Sequence, residues 1–231
     1  MAERKPKPRK TRGPGRPRYP KGVSTEDTKQ RLLEAAIRLF SLHGYDAIST
    51  GDIAREAHLT QSMVHYHFSS KEQLWKTAIH AIMRHRGASF PPPEAELAGL
   101  APVDRLKRLI RSLIWANARN PQFIRIAVYE GTIASPRLNW LVKTYIGSGY
   151  KLFDDAIKDA IEEGAIPAFP VSDITNIVTA VSLLFGLQAM IGDLGGEASV
   201  ESFSTTLQHV LFRGLLDTRL RQPTAQVASD D

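Results

Sequence analysis

The chain has 231 residues, 42% of them hydrophobic and 23% charged, the make-up of a soluble globular protein long enough to bury a core. It has no cysteine, which excludes disulfides, thiolate metal sites and cysteine nucleophiles. Residues 1–21 carry nine basic side chains and one acid, a net of +8, while the whole chain is +6, so the remainder is −2. The positive charge therefore belongs to an arm on a near-neutral body, which suits a polyanion partner whose condensed counterions it displaces.

Residues 1–23, rich in Pro, Gly, Lys and Arg, are expected to be a disordered basic arm, too poor in apolar surface to offset the entropy of ordering. No apolar run follows the charges, so the arm does not read as a secretory signal. Gly15-Arg16-Pro17-Arg18 is similar to the core of an AT-hook, in which prolines keep the strand extended and Arg16 and Arg18 enter a narrow A·T minor groove. The plainer alternative is unspecific phosphate attraction by a solvated charge run.

From Ser24 the pattern turns helical. Ser24 and Asp27 form a capping box, and Leu32, Leu33, Ala36, Leu39 and Phe40 recur at helical spacing until Gly44. A second cap at Ser49–Asp52 opens a short helix with Ile53, Ala54 and Ala57 inward. His58-Leu59 makes a tight turn, and Thr60 caps a third helix reaching about Phe68. Ser69 or Ser70 caps a fourth, striped by Leu74, Trp75, Ala78, Ile79 and Ile82. Residues 88–103 read as a linker. Beyond it come a stripe from Leu106 to Ile114, a segment opened by Pro121, and a long helix from Pro136 to Glu163 ended by Gly164. Two more helices are expected at about 171–193 and 199–220, with a flexible tail at 221–231. Residues 174–191 lack charge, but their interrupting polar residues favour a buried helix over a membrane span. No alternating strand pattern of useful length occurs. The fold predicted is all-α, about nine helices.

Two short helices joined by a three-residue turn describe a helix-turn-helix. The third helix is slim and polar at its leading end. Gln61 can donate and accept toward a base edge, Ser62 lets the helix approach, and Met63 or Val64 can anchor it. Ser49, Thr50 and Gly51 offer a helix N-terminus to phosphate, and Lys71 a cation.

The stretch from Arg31 to Trp75, with its LLEAA, LF, GY, DIA, three-residue turn and SKEQL runs, resembles the DNA-binding domain of the TetR family. The resemblance implies a helix-turn-helix domain at 24–87 and a C-terminal helical ligand-binding and dimerisation domain at 104–220. It implies phosphate contacts at Ser49 and Thr50, a reading helix carrying Thr60, Gln61, Ser62, His65 and Tyr66, and backbone clamps at His67 and Lys71. His58 stands where the family turn has glycine, a left-handed position histidine tolerates. His65 stands where the family has the tyrosine of its YxHF ending, so its contact is expected to be weaker or pH-dependent.

The family also implies a four-helix bundle between two copies, here through Ile177, Val181, Leu184, Phe203, Leu207, Val210 and Leu211, and hence a homodimer on a palindromic operator. It implies a ligand cavity, for which the candidates are Phe123, Ile126, Tyr129, Glu130, Trp140, Tyr145, Phe185 and Met190. Glu130, a carboxylate among apolar neighbours, needs a partner: Arg125, Lys143 or a cationic ligand. The function expected is a cytoplasmic, sequence-specific DNA-binding regulator, a repressor released from its operator by a small-molecule effector. It would need no cofactor, metal or membrane. The alternative is an architectural DNA-binding protein without effector. An enzyme is disfavoured: no G-x-S-x-G, phosphate-binding glycine loop or H-E-x-x-H occurs, and the histidine pairs are poorly spaced for a shared ion.

Overall fold

The computed structural model describes residues 24–86, 90–183 and 199–215, which form helices with no β-strand among them. Arg16, Arg18, Leu184, Phe185 and Met190, with the arm and the tail, lie outside the described residues. The elements are α1 (Thr25–His43), α2 (Thr50–Glu56), α3 (Gln61–Phe68), α4 (Lys71–Arg86), α5 (Glu94–Leu97), α6 (Pro102–Arg119), α7 (Pro121–Gly131), α8 (Pro136–Leu141), a π-helical turn (Val142–Ile146), α9 (Gly147–Glu162), α10 (Val171–Leu183) and α11 (Val200–Leu215).

Local chemistry sets the first boundaries. The Ser24 hydroxyl accepts from the Asp27 amide while the Asp27 carboxylate accepts from the Ser24 amide, satisfying two donors that an α-helix start leaves orphaned. α1 then buries Leu32, Leu33, Ala36 and Phe40 and stops at Gly44, whose amide donates to the Phe40 carbonyl. Gly44 has φ +75°, and a Cβ there would lie 3.3 Å from the Tyr129 ring, so both conformation and space call for glycine. α2 repeats the box with Ser49 and Asp52. The α2–α3 turn runs through His58 at φ +55°, the left-handed conformation expected there, and the neighbouring Ala57 carbonyl accepts from the Arg31 guanidinium at 2.6 Å.

Two caps differ in detail from expectation. Thr60 sits at the N-cap of α3 with extended backbone, but its hydroxyl meets that of Ser62 at 2.9 Å instead of an amide. Of the two serines before α4, Ser70 is the cap: its hydroxyl accepts from the Gln73 amide, while Ser69 has φ +57°.

The described residues hold two cores. The first joins α1–α4 to Phe123, Ile124 and Ile126 of α7 and to Leu141, so the helix-turn-helix unit is packed on α7. The second joins Leu106, Leu109, Ile110, Leu113 and Ile114 of α6 to Phe153 and Ile157 of α9, Ile174 and Val178 of α10, and Phe212 of α11. The linker contains the short α5. The long helix expected from Pro136 is one run broken by the π-helical turn, where the Gly147 amide reaches back five residues to the Val142 carbonyl. Gly149 lets the chain before α5 approach α9, since a Cβ there would stand 2.9 Å from the Phe90 ring.

Candidate nucleic-acid interface and effector cavity

α3 buries Met63, Val64 and Phe68 and leaves Gln61, Ser62, His65 and Tyr66 exposed. This split follows the helical period: the anchoring residues share one face, and the polar ones form the face available to a groove. The Gln61 side-chain amide donates to the Thr50 hydroxyl at 2.9 Å, tying the leading end of α3 to that of α2. Ser49 is occupied by its cap: its hydroxyl donates to Asp52 at 2.5 Å and accepts from the Asp52 amide. The hydroxyl and amide of Ser49, with Arg55, hold the Asp52 carboxyl down at about 2.

The clamp positions are less plainly cationic. Lys71 is half-buried with its ammonium 4.1 Å from the Tyr45 ring centroid, and burial lowers its pKa from the ordinary lysine value. His67 is half-buried too, and burial followed by the nearby Lys29 charge lowers its pKa, favouring the neutral ring.

Behind this unit, three contacts fasten the end of α1, the loop after it and α4 to α7 and α8. The Tyr129 hydroxyl donates to the Leu42 carbonyl at 2.9 Å. The Arg137 guanidinium donates to both oxygens of Glu130 at 3.1 Å and to Asp46 at 3.0 Å, lying 4.0 Å from the Tyr45 ring. Trp140 packs against Trp75 and His80 of α4.

On the other side of α7 and α8 lies a cavity of about 640 Å³. Ile124, Ala127, Val128 and Gly131 line it from α7, spaced i, i+3, i+4, i+7, so one helical face looks into it. Val142, Tyr145 and Ile146 of the π-helical turn form a second wall, Tyr150 and Phe153 of α9 a third, and Leu113, Asn117, Thr179 and Ser182 of α6 and α10 the rest.

Of the described ligand candidates, Phe123 and Tyr145 line this cavity. Ile126, Tyr129, Glu130 and Trp140 do not; Ile126, Tyr129 and Trp140 pack on the helix-turn-helix unit, and Glu130 pairs with Arg137 of α8. In the structure Glu130 pairs with Arg137, not with Arg125 or Lys143. Sequence reasoning missed Phe90, Asn117, Tyr150, Thr179 and Ser182 as lining residues. The available signal was polar residues interrupting the apolar runs of α6 and α10. Tyr145 touches both regions, because its hydroxyl is hydrogen-bonded to His80 Nδ1 on α4.

Of the dimer candidates, Ile177 and Val210 are 51% and 65% exposed. Val181 is half-buried, and Phe203, Leu207 and Leu211 are half-buried against the second core.

A family profile described as "Bacterial regulatory proteins, tetR family" matches residues 32–78, the segment from mid-α1 into α4. Over this segment the chain is similar to the N-terminal domain of the TetR family. Among curated TetR-like relatives, the "HTH-type transcriptional repressor NicS" of Pseudomonas putida is 31% identical over 45% of this chain and 48% of its own. The "HTH-type nicotine-responsive transcriptional repressor HdnoR" of Paenarthrobacter nicotinovorans is 28% identical over 47% and 54%. The chain thus spans about half the length of these two relatives. An HTH-type transcriptional repressor of Streptomyces coelicolor is 26% identical over 71% of this chain and 77% of its own. Solved structures share the fold. HlyIIR, a hemolysin II transcriptional regulator, superposes with TM-score 0.64 at 22% identity, covering 84% of this chain and all of that one. A TetR-like regulator from Rhodococcus sp. RHA1 gives 0.61 at 19% identity, covering 87% and 100%. No helix of the described residues is long and apolar enough to cross a membrane.

Proposed function

We propose that this chain is a TetR-family, sequence-specific DNA-binding repressor, acting as a homodimer and released from a palindromic operator when a small molecule fills the cavity that α7, the π-helical turn, α9, α6 and α10 enclose. One observation carries the reading: α7, α8 and the π-helical turn wall the cavity on one side and hold the DNA-binding unit on the other. A ligand that alters the set of these elements alters where α3 is presented. The repressor titles of the relatives fit this output.

α3 enters the major groove with Thr60, Gln61, Ser62, His65 and Tyr66 leading. Ser49, Thr50, His67 and Lys71 meet the phosphate backbone. The occupied Ser49 hydroxyl leaves hydrogen-bond acceptance, not a free donor, so Thr50 and the α2 backbone carry more of that contact. Arg16 and Arg18 of the arm add minor-groove contacts. Ile177 and Val210, exposed apolar residues on α10 and α11, take part in the contact between copies with Val181, Leu184, Phe203, Leu207 and Leu211. Effector control is population shift: a ligand moves the equilibrium only by its differential affinity for the two states, and a switch from 1:99 to 99:1 takes about 5.5 kcal/mol.

The test is a genomic binding map with the full chain, followed by band shifts on the recovered sites and screening of metabolites from neighbouring pathways. Two-fold-symmetric sites bound by two subunits, with at least one metabolite releasing the DNA, are expected. Equal affinity for random and promoter DNA, or single subunits at working concentration, would sink the reading.

A further inference from the structure

Every described side chain that lines the cavity is uncharged. Several charges on the walling helices are turned to other work. Glu130 and Arg137 pair with each other on the far side of α7 and α8, and Asp154 accepts from the Thr175 hydroxyl at 2.6 Å. An ionic ligand would lose its hydration here without a counter-charge, a cost that grows steeply as the environment becomes apolar. Three of the lining rings are turned to one another or to neighbouring rings, not gathered as a cage for a cation. Phe90 and Phe153 stack on each other at 6.0 Å and 17°, and Tyr145 is edge-on to His80 and Trp140.

The hydroxyls of the α9–α10 wall have a fixed sense. The single proton of the Thr179 hydroxyl goes to the Thr175 carbonyl at 2.7 Å, since a carbonyl cannot donate. Thr179 therefore accepts from the Tyr150 hydroxyl at 3.1 Å. That leaves the Tyr150 oxygen with lone pairs and no proton to offer. Ser182 is likewise committed as a donor, to the Thr179 carbonyl at 2.8 Å, and accepts from Asn117 at 3.1 Å. The α9–α10 wall is thus an acceptor at Tyr150 set in an apolar surface.

We infer that the ligand of this cavity is uncharged and mainly apolar, carrying one O–H or N–H donor that the Tyr150 oxygen accepts. This rests on the cavity being the effector site but narrows it to a chemical class: carboxylates and ammonium compounds are disfavoured, cyclic alcohols and phenols favoured. A void of about 640 Å³ is large enough for a drug-sized molecule of several rings.

The test uses the full chain and four fluorescent probes of matched shape: 1-pyrenemethanol, 1-methylpyrene, 1-pyrenecarboxylate and 1-pyrenemethylammonium, titrated by anisotropy at pH 7. Pyrenemethanol should bind at least tenfold tighter than either ion and severalfold tighter than methylpyrene. Tyr150→Phe should erase its advantage over methylpyrene, and Val142→Trp, which fills the cavity wall, should abolish its binding. Equal or tighter binding of either ion, binding by none of the four, or binding that survives Val142→Trp overturns the inference. Band shifts run in parallel separate the two readings. Neutral binding that never alters DNA affinity removes the effector role and leaves the ligand class. DNA release by an ion bound in the cavity removes the ligand class and leaves the effector role.

Discussion

The side-chain amide of Gln61 donates to the Thr50 hydroxyl across 2.9 Å, so the first residue of α3 is oriented by the first residue of α2. A glutamine at a helix start has several rotamers, and fixing one before DNA arrives reduces the ordering cost of a base contact.

Thr50→Val removes this acceptor with little change of shape. It should lower discrimination between the operator and single-base variants and, because the same hydroxyl meets a phosphate, also weaken binding to all DNA sequences by a smaller factor. Gln61→Ala should cost about 1–3 kcal/mol at one base position, the worth of a good base-edge contact. Anisotropy titrations against a set of operator point variants read both. Unchanged discrimination in both variants would remove α3 as the reading element.

A second prediction concerns Tyr145, whose ring lines the cavity and whose hydroxyl reaches His80 on α4. Tyr145→Phe keeps the ring and loses the link. Effector should still bind, but the ratio of DNA dissociation constants with and without it should shrink severalfold, since residues along a coupling route contribute about 0.5–2 kcal/mol. A ratio equal to that of the parent protein would place the coupling elsewhere.

The helix-turn-helix was legible because its signals are local. Serine caps, the α1 stripe and the left-handed His58 turn each depend on residues within one or two helical turns. The cavity was not, because α7 is apolar around most of its circumference. Whether Ile126 or Ala127 faces the cavity is decided by where the DNA-binding unit docks, a contact distant in sequence. Glu130 was noticed as a carboxylate in need of a partner, yet Arg137 lies on a different helix across a turn, and nothing local prefers it to Arg125. The π-helical turn had no sequence signal at all, because 136–163 carries one helical pattern whichever way the hydrogen bonds are phased.

A third prediction follows from Asp52, whose folded-state pKa of about 2 lies below the ordinary 3.8. A depressed carboxylate contributes stability above its unfolded value and loses it as pH falls toward the folded value. The α2 cap should therefore be unaffected from neutral pH down to about 4 and weaken between about 4 and 2. Urea unfolding of the parent and of Asp52→Asn at pH 7 and pH 2.5 checks the sign: the variant should be weaker at pH 7, and the gap should narrow in acid. A gap that widens in acid would contradict the assignment.

The last prediction uses Arg137, which bridges Glu130 on α7 to Asp46 beside the DNA-binding helices. The two ion pairs are unequal. Glu130 is 5% exposed, so its charge has little water to fall back on, whereas the Asp46 side chain is 84% exposed. Removing one partner of a buried pair strands the other, while an exposed pair contributes little. Arg137→Met should therefore destabilise the protein by roughly 2–4 kcal/mol, below the full cost for a sealed pair because Arg137 keeps some solvent contact. Asp46→Asn should cost less than about 1 kcal/mol. Adding Glu130→Gln to Arg137→Met should recover part of the loss, because a neutral amide is easier to leave without a cation. Denaturant midpoints of the three variants settle the order. Equal losses for Arg137→Met and Asp46→Asn, or no recovery in the double variant, would mean that Glu130 is not held by Arg137, and that the apolar contacts of α7 alone fasten the DNA-binding unit to the cavity wall.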